Sequence, residues 1–150
     1  MRIRQIGFVL VLVLAIAACG GGKKSEDTMR KSDKSLYDSL GGKDAITAVV
    51  DDFVNTAATD EKIGHFFKNT DPKDLKAKLV DQICEASGGP CKYTGKDMKT
   101  AHTGMKITED DFNALVADLV KSLDKFNVKK EDKEALLGKL GGMKGEIVGQ

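Results

Sequence analysis

From position 35 onward, apolar residues return at three- and four-residue spacing. No stretch alternates apolar with polar in the manner of a strand. The pattern predicts an all-α domain. KDAITAVVDDFVNTAATD sets Ile46, Val49, Val50, Phe53, Val54 and Ala57 on one helical face. PKDLKAKLVDQICEAS does the same with Leu75, Leu79, Ile83 and Ala86, and the GGP that follows stops it. TEDDFNALVADLVKSLDKF is the strongest helix signal. Thr108 is a good N-cap, acids fill the first turn, and Phe112, Leu115, Val116, Leu119, Val120 and Leu123 form the apolar face. KKEDKEALLGKLGGMKGEIV keeps Leu136, Leu137, Leu140, Met143 and Ile147 in register, but Gly141 and Gly142 weaken it and predict a bend. Between these runs, SLYDSLGG reads as a short capped helix closed by two glycines. EKIGHFFKNTDP reads as an irregular corner holding Phe66 and Phe67, and KDMKTAH is too short to be a secure helix by itself.

The residues before position 35 have a different texture. Arg2 and Arg4 precede 13 apolar residues, Ile6 to Ala18, which is short for a permanent membrane span. IAAC ends the run with small residues in front of Cys19, a pattern that resembles the lipobox of bacterial lipoproteins. The resemblance implies cleavage before Cys19 and lipidation of its sulfur; an ordinary signal peptide cleaved after Ala18, or an uncleaved anchor, is the alternative. GGGKKSEDTMRKSDK is glycine-rich, charged and nearly free of apolar residues, the composition of a flexible tether. The expected organisation is a lipoprotein signal peptide over 1–18, a tether over 19–34, and one folded domain over 35–150, long enough for a single core. The expected location is the cell envelope, lipid-anchored, at a periplasmic or extracellular face. Gly20, rather than an aspartate, follows the cysteine and favours an outer membrane over an inner one.

Removing residues 1–18 takes away two arginines and no acid, leaving 22 basic residues against 23 acidic ones. That balance excludes a nucleic-acid binder, which carries a strong basic excess. No phosphate loop, zinc-protease helix or nucleophile elbow is present: the Gly-Lys of LGGKDA lacks both the earlier glycine and the following Ser or Thr. Setting Cys19 aside leaves Cys84 and Cys91, separated by EASGGP, a turn able to bring the sulfurs together. In an oxidising compartment they are expected to pair, adding about 2–3 kcal/mol on the chain-entropy model; two free thiols are the alternative. No second pair of cysteines or histidines at ligand spacing accompanies them, which argues against zinc.

His102 ends the segment YTGKDMKTAH, with Gly95 before it and Gly104 after it. From spacing alone, two readings stand: a half-buried imidazole satisfied by a backbone carbonyl, or a metal ligand.

Four segments in order decide between them. LYDSLGGKDAI, IGHFF, GGPCKYTGKDMKTAH and GMKIT resemble corresponding pieces of the group 1 truncated haemoglobins, and the likeness runs from about Ser35 to Val148. The resemblance implies a two-over-two helical sandwich around haem, of the b type, with His102 as the axial iron ligand from the proximal side. It also implies that Met98, one turn before His102, packs on the porphyrin, that Tyr93 meets the haem edge or a propionate, and that Thr70 touches the haem edge. The ring of Phe67 is expected on the haem, whereas His65 just before the aromatic pair has no required role. Gly95 is expected to let the chain turn sharply into the short helix, and Gly104 to let it leave.

The distal side departs from the family. Many relatives carry a tyrosine where this chain has Val54, and a glutamine where it has Leu79; Leu75, one turn earlier, is apolar too. A hydrogen bond to bound oxygen contributes on the order of 1–3 kcal/mol, about ten- to a hundredfold in affinity. Its loss predicts weak, fast-dissociating oxygen binding with carbon monoxide and nitric oxide relatively favoured. Lys78 is expected to pair with a haem propionate, the alternative being closure of the sixth coordination site. Gln82, three residues after Leu79, either lines the surface or swings inward. The expected function is reversible binding of a diatomic gas at the iron. The second hypothesis is redox chemistry on nitric oxide or peroxide, which needs an external reductase as electron donor. The third is a haem-free tethered adaptor.

Overall fold

A computed structural model describes residues 34–150. The expected signal peptide, the lipidated Cys19 and the tether up to residue 33 lie outside the described residues. Six α-helices follow one another: α1 (Leu36–Ser39), α2 (Gly42–Thr59), α3 (Pro72–Ala86), α4 (Met98–His102), α5 (Glu109–Lys125) and α6 (Lys130–Gly141). Single 3-10 turns occupy Gly64–Phe67 and Lys144–Glu146, and there is no strand among the described residues. No helix there is long and apolar enough to cross a membrane.

Local chemistry sets the helix starts. Ser35 and Asp38 form a reciprocal capping box on α1, and Thr108 and Asp111 form another on α5. Asp71 caps α3 with Pro72 at its first position, where a missing N–H costs nothing.

The core is a two-over-two arrangement: α2 pairs with α3, α5 pairs with α6, and α2 lies against α5. The face of α2 is buried as its periodicity predicts, with Ile46, Val49, Val50, Phe53, Val54 and Ala57 all inside. Burial of each larger apolar side chain contributes about 1.5–3 kcal/mol. Opposite them lie Val80, Ile83, Cys84, Leu119, Leu123 and Leu136. A second, smaller cluster of Ile107, Phe112 and Ile147 gathers Met98, Met105, Met143, Val116 and Val148, and Phe66 packs against both clusters.

Two expectations need correction, and one burial was not anticipated. On α3 the deepest positions are Val80, Ile83 and Cys84, whereas Leu75, Leu79 and Ala86 are only half-buried. Of the expected stripe, Ile83 lies inside, while Leu75 and Leu79 pack on the edge of the main cluster. On α5, Asp118 and Ser122 are fully buried, although both are polar. Ser122 donates to Asp52 Oδ2 at 2.9 Å across to α2, and Asp118 holds Lys121 at 2.8 Å through one oxygen. Finally, α6 does not merely bend: it stops at Gly141, and the 3-10 turn carries Ile147 back into the second cluster.

Candidate haem-binding site

The proximal segment is one turn of helix slung between two anchors. Asp97 caps α4 by accepting from Thr100 N at 2.9 Å, an interaction that holds its carboxyl below the usual range. A turn this short cannot hold itself. Upstream, the Cys84–Cys91 disulfide ties its approach to α3, and Glu85 accepts from Tyr93 N at 3.0 Å and Lys92 Nζ at 3.2 Å. Those donors, the backbone N–H first, keep the Glu85 carboxyl below its ordinary value. Downstream, Gly104 takes a φ of 83°, as its role at the exit requires. Beyond it, Lys106 N donates to Gln150 O at 2.6 Å and Gly149 N donates to Ile107 O at 2.9 Å. The C-terminal residues thus brace the exit of α4, a long-range contact that no local pattern announces.

Within this segment the His102 ring folds back over its own helix. Nδ1 lies 2.7 Å from the carbonyl oxygen of Met98. A carbonyl only accepts, so Nδ1 is the donor, and in the neutral form of the ring the lone pair lies on Nε2. Nε2 has no hydrogen-bond partner among the described residues, and the side chain is half-buried. The carbonyl thus satisfies one ring nitrogen, as the first reading expects, and leaves the other without a partner among the described residues.

Across from α4 stands the half-buried stripe of α3. Leu75, Leu79 and Gln82 fall on one side of that helix by their spacing, and Gln82 marks where it faces. Its amide reaches Met98 Sδ at 3.3 Å and Met143 Sδ at 3.6 Å. Thioether sulfurs are weak acceptors, so this amide is held loosely. Val54 is buried at 2% exposure within the α2 core. Leu75 and Leu79 thus put hydrocarbon on this side of α3, beside the Gln82 amide. A small void of about 10 Å3 lies elsewhere, bounded by residues such as Ile46, Ile83, Leu123 and Leu136.

At the edge between the two segments, Tyr93 Oη donates to Lys96 O at 2.7 Å. Partial burial pushes the Tyr93 phenol up, while the nearby charge of Lys78 works against that rise. Lys78 itself pairs with Asp74 at 2.5 Å with its side chain 43% exposed. Gly95 has a role other than the expected one. Its φ is ordinary, but a Cβ there would sit 2.3 Å from Tyr93 Oη, so it is the close approach of that ring that demands glycine. Phe67 is half-buried against the main cluster, Thr70 is exposed beside it, and His65 is exposed with its ring 4.0 Å from that of Phe66. Sequence reasoning did not foresee the Gln82–methionine contacts or the C-terminal brace; the clustering of Met98, Met105 and Met143 was visible only as three scattered apolar residues.

Comparison with known proteins agrees with this geometry. Residues 35–148 match the bacterial-like globin family. The chain is 35% identical over 113 residues to a group 1 truncated hemoglobin of Mycolicibacterium paratuberculosis, covering 75% of this chain and 83% of that one. It is 36% identical over 95 residues to one from Tetrahymena pyriformis, covering 63% and 78%. Among solved structures, the Fe(III) form of the Tetrahymena pyriformis truncated hemoglobin superposes with a TM-score of 0.75 at 30% identity, over 78% of this chain and 100% of that chain. The 2/2 hemoglobin of Synechococcus sp. PCC 7002, solved with covalently attached heme, gives 0.73 at 28% identity, over 78% and 100%.

Proposed function

The chain belongs to the bacterial-like globins and, among them, to the group 1 truncated haemoglobins; from that premise we propose that it binds haem through His102 and takes a diatomic gas on the α3 side of the iron. Haem is the cofactor of the family, and the residues here suit it. A neutral imidazole with Nδ1 committed to Met98 O and Nε2 free is a ready ligand for haem iron. That single observation carries the reading. When bound, haem supplies an open coordination position where the gas sits. The chain does the rest: Met98 and Phe67 contribute apolar packing, Tyr93, Lys78 and Thr70 line the edge where propionates meet water, and the disulfide and Glu85 keep α4 in place.

Selectivity follows from what faces the gas. Val54, Leu75 and Leu79 provide no hydrogen-bond donor, so oxygen is held weakly and released fast, while carbon monoxide and nitric oxide lose less. Replacing His102 with glycine tests the ligand assignment: haem retention and the Soret band should be lost and then restored by added imidazole. Unchanged pigment in His102→Gly would overturn it. Titration of the reduced protein with oxygen, carbon monoxide and nitric oxide then ranks the gases.

The location belongs to the same proposal. Basic start, apolar run and IAAC together support export and lipidation at Cys19, with the globin domain tethered at the cell envelope. Fatty-acid labelling of the wild type but not of Cys19→Ser is the expected result; label in both would remove the anchor.

A further inference from the structure

Charge is unevenly spread over this domain. Residues 34–150 hold 18 lysines and 20 carboxylates, a net of −2. Residues 92–106, the segment that carries His102, hold Lys92, Lys96, Lys99 and Lys106 against the single Asp97. That stretch is +3, and the remainder of the described chain is −5. Pairing sharpens the contrast. Among the described residues, ten lysines have a carboxylate within 4.0 Å. In the proximal segment only Lys92 does, through Glu85. Lys96, Lys99 and Lys106 are exposed, and Asp97 is already occupied as the cap of α4.

We propose that Lys96, Lys99 and Lys106 form a docking surface for an acidic electron-donor protein that reduces the iron from the His102 side. The inference rests on the haem reading above and adds to it where electrons enter. An unneutralised basic patch on an acidic domain steers a negatively charged partner into one orientation, because the rest of the surface repels it. The patch flanks the half-buried imidazole proposed to hold the iron, so docking there sets donor and acceptor close together. A patch far from His102 would offer steering without a short electron path.

Stopped-flow reduction of the ferric holoprotein tests this, with a reduced acidic flavodoxin-type flavoprotein as donor and dithionite as a small-molecule control. The second-order rate with the flavoprotein should fall at least about tenfold between about 20 mM and about 500 mM salt. A similar loss is expected at low salt in the variant Lys96→Glu, Lys99→Glu, Lys106→Glu. Reduction by dithionite and the Soret band should be unchanged in that variant, and Glu131→Lys with Asp132→Lys, away from the segment, should not slow the flavoprotein. Salt-independent reduction, or a triple variant that reacts like wild type, overturns the proposal. So does binding of the patch to anionic phosphatidylglycerol vesicles that disappears in the triple variant while flavoprotein reduction persists, which would assign the surface to a membrane. A wild-type protein without a Soret band would instead defeat the haem reading, so the two failures are distinguishable.

Discussion

Replacing Cys91 with serine removes the disulfide without opening a hole, because Cys91 is half-buried at the edge of the core while Cys84 is fully enclosed. The bridge closes a short loop, with a sequence separation of 7. The chain-entropy relation for a loop of this length gives about 8 cal/mol/K, or about 2.4 kcal/mol at 25 °C. The native loop has other ties: Glu85 still accepts from Tyr93 N and Lys92 Nζ, so most of the effect should fall on the unfolded chain. Unfolding entropy of about 2.1 cal/mol/K per residue over about 115 residues converts this into a drop in Tm of about 10 °C. Thermal melts of oxidised wild type, wild type with dithiothreitol, and Cys91→Ser should place the last two together and well below the first. Far-UV circular dichroism of all three should coincide before the transition. A shift under about 3 °C, with Cys84 and Cys91 shown to be bonded by thiol titration, would refute the entropic argument. A shift beyond about 20 °C would show that the bridge shapes the native loop itself.

Restoring a donor on the distal side by Leu79→Gln should slow oxygen release about ten- to a hundredfold, with much less effect on carbon monoxide; stopped-flow release at an unchanged rate would show that position 79 does not face the gas. Gly95→Ala should evict the Tyr93 ring and break its bond to Lys96 O, lowering stability by about 1–3 kcal/mol in urea titrations, and a wild-type midpoint would rule out the close approach. Glu85 sits below its ordinary carboxyl value in the folded protein, so its clasp contributes fully above about pH 5 and is lost as the pH falls through that lowered value. Melts in acid should therefore show Glu85→Gln losing less Tm than wild type between about pH 6 and pH 3, and parallel curves would remove Glu85 from the acid response.

Helix α2 shows how far local pattern reaches. Six apolar residues at helical spacing admit one inward face, and all six are buried. Caps were equally legible, since Ser35 and Thr108 with their acids three residues on act within a single turn. On α3 the same reasoning found the helix but misjudged its rotation. Leu75 and Leu79 read as core because leucine is apolar, yet Val80 takes the deepest position and the leucines stay half-buried at the edge of the main cluster. A helix with two apolar flanks does not reveal which one meets which neighbour.

What the sequence determined alone is whatever depends on neighbours a few residues apart: five of the six helices in order, the caps of α1 and α5, the short loop between paired cysteines, and a histidine at the end of a short segment between glycines. Tertiary structure decided everything resting on residues distant in the chain. It committed one nitrogen of His102 to Met98 within the turn, but held that turn by bonds from Glu85 and Gln150. It brought Gln82 to two methionines, one of them 61 positions away, and buried Asp118 and Ser122 on a face that polarity alone assigns to water. The physical reason is that periodicity records how often a residue meets an interior, whereas a site requires knowing whose interior it is, and only the packed chain supplies that.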